Sequence, residues 1–314
     1  MTRDAAQFGG ATTADEVLEG MDLSGVTVLI TGASSGLGAE SARAMAARGA
    51  TVVLTARQVE KASGVAAEIR RSTGNANVDV MALELTDWAG VRAFAAAFVE
   101  RYPRLDVLLN NAGVMACPLL RTVEGWEMQF ASNHLGHFLL TNLLVPALRN
   151  AAPARVVAVS SAGHQLSPVL FDDIHFDSTP YDKWTAYGQS KTANILHAVE
   201  LDRRWRGDGV RAFAIHPGAI LTELGRHLGR SDLADLAARS PGSKLEFKSI
   251  PAGAATQVFA ATAPELADRG GVYLEDCHVA EVHEGQGSWG VRGYALDADN
   301  AARLWALSAQ AVGG

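Results

Sequence analysis

The chain has 314 residues, 48% of them hydrophobic and 19% charged, enough apolar content for a sizeable core and too much for general disorder. A net charge of −7 lacks the basic surplus of a nucleic-acid binder, and 31 glycines without a G-x-y period exclude collagen. The two cysteines, Cys117 and Cys277, lie far apart without metal-ligand spacing, as expected of reduced thiols in a cytoplasmic protein.

Residues 1–22 read as an N-terminal extension with a short helix-like piece at 13–19. They contain no signal-peptide apolar run, and no stretch of the chain reads as a membrane span. From there, strands at 26–31, 51–55, 78–83, 105–109, 155–160 and 210–215 alternate with helices at 36–48, 59–71, 88–101, 124–149 and 185–205. Strands apolar throughout, each followed by a helix, predict an α/β fold: a doubly wound parallel sheet of Rossmann type, covered on both faces. Ligands bind such a sheet beyond the carboxyl ends of its strands. No linker divides 23–314, so one domain is expected.

Two segments interrupt the alternation, 162–184 and 219–250, and both are expected to wall a substrate site. Phe171, Phe176, Tyr181 and Trp184 in the first either line an apolar pocket or anchor the loop. Leu221, Leu224 and Leu228 in the second form one apolar stripe if helical. Trp126 and Phe130, at helical spacing, read as core.

The first strand runs into Thr31-Gly32-Ala33-Ser34-Ser35-Gly36-Leu37-Gly38, which opens a helix. Glycines there let backbone approach a pyrophosphate, and the helix aims its first amides at the negative charge. At the end of the second strand an NAD site wants a carboxylate for the ribose 2′-hydroxyl. Ala56-Arg57 offers a guanidinium fork instead, suited with Ser34 to a 2′-phosphate, so NADP(H) is the expected cofactor. Tyr187 and Lys191, four apart on a helix, share one face, where an ammonium favours the phenolate. A hydroxyl at 160 or 161, ending the fifth strand, can donate to a carbonyl oxygen. His134, His137, His164 and His216 read as packing or loop histidines, and no metal is expected.

T-G-x-x-x-G-x-G at 31–38, Asn110-Asn111-Ala112-Gly113, Ser160-Ser161, Tyr187-x-x-x-Lys191 and His216-Pro217-Gly218 with Thr222 succeed one another in an order that resembles the short-chain dehydrogenase/reductase family. Residues 110–118 and Asn133-His134-Leu135-Gly136-His137-Phe138 resemble its retinol-dehydrogenase-like branch, although the membrane-anchoring N-terminus of many animal members is not seen. The resemblance implies a catalytic set of Asn133, Ser161 (over Ser160), Tyr187 and Lys191, with Asn133 holding a relay water and Lys191 the nicotinamide ribose. It implies cofactor contacts from Gly32, Ser34, Ser35, Gly36, Leu37, Gly38, Arg57, Glu84, Leu85, Asn111, Ala112, Gly113, Pro217, Gly218 and Thr222. Glu84 departs from the aspartate usual near the adenine. The expected activity is NADP(H)-dependent interconversion of a carbonyl and an alcohol on a bulky hydrophobic small-molecule substrate, with pairing of copies through long helices. Reduction of an activated alkene and a non-catalytic cofactor sensor are the competing readings.

Overall fold

The computed structural model describes residues 8–225, 228–239 and 246–313. Its strands are β1 (Thr27–Ile30), β2 (Thr51–Ala56), β3 (Val78–Ala82), β4 (Val107–Asn110), β5 (Ala154–Val159), β6 (Val210–His216), β7 (Val272–Glu275) and β8 (His278–Val279). They form one sheet in the order β3-β2-β1-β4-β5-β6-β7-β8, parallel except for β8, which turns back antiparallel at the edge. Val52, Val53, Leu54, Leu108, Leu109 and Val157 are buried, as strands covered on both faces require. The strand order reverses between β1 and β4, and a crevice opens there beyond their carboxyl ends.

The helices are α1 (Ala14–Val17), α2 (Gly36–Ala46), α3 (Val59–Thr73), α4 (Trp88–Arg101), α5 (Met128–Phe130), α6 (Gly136–Ala151), α7 (Lys183–Trp205), α8 (Arg230–Arg239), α9 (Ile250–Thr262) and α10 (Ala298–Ala311). One apolar layer joins α1, α2, α3 and α9 to the sheet, and the other joins α4, α6, α7 and α10. Asp87, Asp182, Ser249 and Asp297 cap α4, α7, α9 and α10, each side chain accepting an orphan amide of the first turn. The N-terminal segment joins this core. Thr13 and Glu16 form a capping box on α1, Val17 and Leu18 are fully buried, and Phe8 meets Phe259 edge-on at 6.0 Å.

The helix expected over 124–149 differs. It begins at Met128, and Ala131–Leu135 is a single π turn before α6. Such a turn inserts a residue and rotates the helix beyond it. Here it carries Asn133.

Candidate active site

A cleft of about 2200 Å³ lies over the carboxyl ends of β1, β2, β4, β5 and β6. Its floor at one end is the glycine turn. Gly32 has φ +66°, and a Cβ on it would lie 2.8 Å from Ala112 Cα; one on Gly38 would lie 2.8 Å from the Gly32 carbonyl. Side chains are excluded there, so ligand backbone contact is open. Ser35, the N-cap of α2, makes no side-chain capping bond, which leaves the first amides available to an anion. These features fit the pyrophosphate of a dinucleotide.

All the expected cofactor contacts line this cleft: Gly32, Ser34, Ser35, Gly36, Leu37, Gly38, Arg57, Glu84, Leu85, Asn111, Ala112, Gly113, Pro217, Gly218 and Thr222. Arg57 stands at the rim, its Nε 3.6 Å from Glu84 Oε2. Thr31 ties the floor together. Its Oγ1 accepts from the Asn111 and Ala112 amides, both at 2.9 Å, and meets His137 Nε2 at 2.8 Å.

The partners of His137 fix its tautomer. Nδ1 lies 3.0 Å from the Asn133 carbonyl, which can only accept, so Nδ1 carries the proton and Nε2 takes the Thr31 hydroxyl hydrogen. Burial holds this imidazole neutral, its pKa pushed down to about 4. His137, read from the sequence as a packing residue, therefore joins the glycine turn to the π turn. Its spacing of four from a mid-helix asparagine is the signal that could have found it.

Asn133 is fully engaged. Its Oδ1 accepts from the Val114 amide at 2.8 Å, and Nδ2 donates to the Val114 carbonyl at 3.0 Å and to Ser190 Oγ at 2.9 Å. The two serines divide their work. Ser160 donates to the Lys191 carbonyl at 2.8 Å, whereas Ser161 lines the cleft, its Oγ accepting from the Gly163 amide at 3.0 Å.

Tyr187 and Lys191 both lie at the cleft wall on α7, nearly fully buried. Lys191 Nζ donates to the Val159 carbonyl at 3.0 Å and sits 5.6 Å from the Tyr187 ring centroid. The expected lowering of the phenol by its ammonium neighbour is not what governs here. Burial dominates and pushes Tyr187 up to about 12, only partly offset by Ser161, while burial pushes Lys191 down to about 8.

The family model described as short chain dehydrogenase matches residues 26–232, most of the sheet and all of the cleft floor. The chain belongs to this family. Human retinol dehydrogenase 13 is 41% identical over 291 residues, covering 92% of this short-chain dehydrogenase and 85% of that protein. A crystal structure of an uncharacterised protein from Mycobacterium paratuberculosis superposes with a TM-score of 0.73 at 35% identity, over 100% of this chain and 98% of that one. The Pseudomonas aeruginosa RhlG/NADP active-site complex superposes with a TM-score of 0.64 at 27% identity, over 81% and 95%. As a member of the retinol-dehydrogenase-like branch, the protein is an oxidoreductase acting on CH–OH and C=O groups with a nicotinamide cofactor.

Both interrupting segments, 162–184 and 219–250, contribute residues to the walls of this dehydrogenase's cleft. Of the four loop aromatics only Trp184 lines it. Phe171 packs on the core under Arg303, and Phe176 and Tyr181 meet edge-on at 5.1 Å as loop anchors. The leucine stripe is also broken, because a 3-10 turn at Glu223–Gly225 precedes the helix at Arg230. Leu221 is 75% exposed, while Leu224 and Leu228 are half-buried against the cleft.

A third wall, unforeseen, comes from 281–293. Gln165 donates to the Trp289 carbonyl at 3.0 Å, and Arg292 donates its amide to His164 Nε2 at 3.1 Å. His164 Nδ1 in turn donates to the Ser161 carbonyl at 2.7 Å. The loop carrying Trp289 is thus clamped to the turn that holds Ser161, and Trp289, stacked on His283 at 3.7 Å, joins the lining of the cleft. Among the described residues no three His, Cys, Asp or Glu side chains group to hold a metal, and no helix is long and apolar enough to cross a membrane.

Proposed function

We propose that residues 23–314 form one catalytic domain of a cytoplasmic NADP(H)-dependent reductase that converts an apolar ketone or aldehyde to its alcohol, and runs in reverse. The observation that carries this reading is the buried Tyr187 phenol at the cleft wall, with Ser161 lining the same cleft and Lys191 Nζ 5.6 Å from its ring centroid. With a pKa near 12 the phenol is protonated at neutral pH, the state a proton donor to a carbonyl oxygen needs.

When bound, the nicotinamide supplies or takes the hydride. The Ser161 hydroxyl donates to the same carbonyl oxygen and stabilises charge developing there. Lys191, anchored on Val159, presents its remaining ammonium hydrogens to the nicotinamide ribose. Asn133 is a positioning residue, pinning Val114 and Ser190 across the site. Coupled assays of NADPH oxidation with apolar ketones, aldehydes and enones test this. Turnover of enones alone would favour the alkene reading, and no turnover with any would favour a sensor.

For the cofactor, the support is Arg57 at the cleft rim with no carboxylate at 56 or 57. Arg57→Ala is expected to raise the KM for NADPH about ten- to 150-fold, as loss of a charge-assisted hydrogen bond would, with little change for NADH. Equal losses for the two cofactors would contradict it. For the substrate, Trp289→Ala is expected to raise KM for a bulky apolar ketone roughly fivefold, the loss of about 1 kcal/mol of apolar contact. A small ketone that cannot reach the indole should be unaffected, and a parallel loss for both would show a folding defect instead.

A further inference from the structure

Glu223 reaches across the mouth of the cofactor cleft. It sits on the 3-10 turn just after Thr222, and its carboxylate oxygens lie 2.6 and 2.7 Å from the Lys61 ammonium of α3. Oε2 also accepts from the Ser35 hydroxyl at 3.3 Å. Lys61 is in the first turn of α3, four residues after Arg57, and both line the cleft with Ser35. A carboxylate therefore rests where an anion meets an ammonium from α3 and a hydroxyl from the glycine turn. Arg57 is engaged in the same way, by Glu84.

These pairs are exposed: Lys61 and Glu223 retain 40% and 62% of their side-chain accessibility. Exposed pairs contribute little and are screened by salt, so a phosphate dianion with three acceptor oxygens can replace a single carboxylate. Thr222 adjoins Glu223 in the chain, and its Cγ2 lies 3.3 Å from where a Cβ on Gly36 would sit, against the glycine turn.

We propose that Lys61 is a second ligand, beside Arg57, for the 2′-phosphate of NADP(H), and that Glu223 is an internal anion holding that place until the cofactor displaces it. This rests on the NADP(H) reading and extends it. Selectivity then has two parts, an ammonium that only the phosphorylated cofactor can use and a tethered competitor that only it can dislodge. NAD(H), without the phosphate, leaves Glu223 on Lys61.

The test is a set of dissociation constants for NADP+ and NAD+, measured by calorimetry at low salt on the full-length wild type, Glu223→Gln, Lys61→Met and the double variant. Lys61→Met is expected to weaken NADP+ about tenfold, as loss of one charge-assisted bond would, with NAD+ within about twofold. Glu223→Gln is expected to tighten NADP+ roughly three- to tenfold, again sparing NAD+, and to have no effect once Lys61 is gone, since the two act as one unit. If wild type prefers NADP+ and Lys61→Met keeps that preference, or Glu223→Gln shifts both cofactors equally, the proposal is overturned and the NADP(H) reading stands. Equal wild-type affinity for the two cofactors overturns both.

Discussion

Tyr187→Phe is expected to lower kcat for carbonyl reduction roughly 10²- to 10⁴-fold, the range lost with a positioned proton donor, while NADPH affinity changes less than about twofold. The ring would stay in place, because it packs so closely on Gly163 that a Cβ there would come within 2.7 Å of Tyr187 Cε1. Only the hydroxyl would be lost. The pH profile gives a second reading of the same site. A phenol near 12 stays protonated through the assay range, so the break in kcat/KM for reduction is expected near 8, where Lys191 loses its proton. Activity should fall above that pH. Near-normal turnover by Tyr187→Phe would assign the proton to another group.

A second large effect is acid loss of stability, driven by histidines. His137 and His164 have pKa values pushed down to about 4 by burial, and His197 and His216 to about 3; burial holds His134 well below its usual value too. Between the unfolded value near 6.5 and these folded values, the unfolded chain binds more protons than the native one. Stability is therefore full above about pH 6.5 and is lost as pH falls toward 4 and below. For His137 alone, a fall from 6.5 to about 4 corresponds to about 3 kcal/mol. Glu127 and Glu275, both raised by burial, work in the opposite sense, but five imidazoles outweigh two carboxyls. Urea midpoints at pH 7.5, 6 and 5 are expected to drop in sequence, with a shallower drop in His137→Asn. A midpoint independent of pH across that range would show that these rings are solvated.

How much could be read from residues alone depends on the physics of each signal. The strands from β1 to β6 announce themselves as β-branched runs between turns, and the glycine turn announces itself by its place between a strand and a helix. β7 is four residues long and opens just past Gly270-Gly271, too short to show a period. α9 is buried nearly all round, from Ala252 to Ala261, so it has no polar face to mark a helical repeat. At the site, motif order singled out Tyr187, Lys191 and Ser161, which line one cleft, and Asn133, which is fully buried and bonded to Val114 and Ser190. The partners that orient them were less legible. His137 works through a π turn that breaks the simple helical register, and the Trp289 wall depends on hydrogen bonds between 164–165 and 289–292. For the loop aromatics residue spacing left lining and anchoring both open, since nothing in it says that Phe176 and Tyr181 turn toward each other instead of the cleft.

The hydrogen bond between Thr31 and His137 has a consequence for how this protein can change over time. The glycine turn and the π turn lie about a hundred positions apart in the chain, yet one proton passes its direction from the first to the second. Neither can drift alone: a glycine turn borrowed from a distant relative without a hydroxyl at 31 would leave a buried imidazole nitrogen and the Ala112 amide without their partner, a burden a marginally stable protein rarely tolerates. The two segments are therefore coupled through one buried bond, so that a change at either end removes the partner of the other and is felt first in folding.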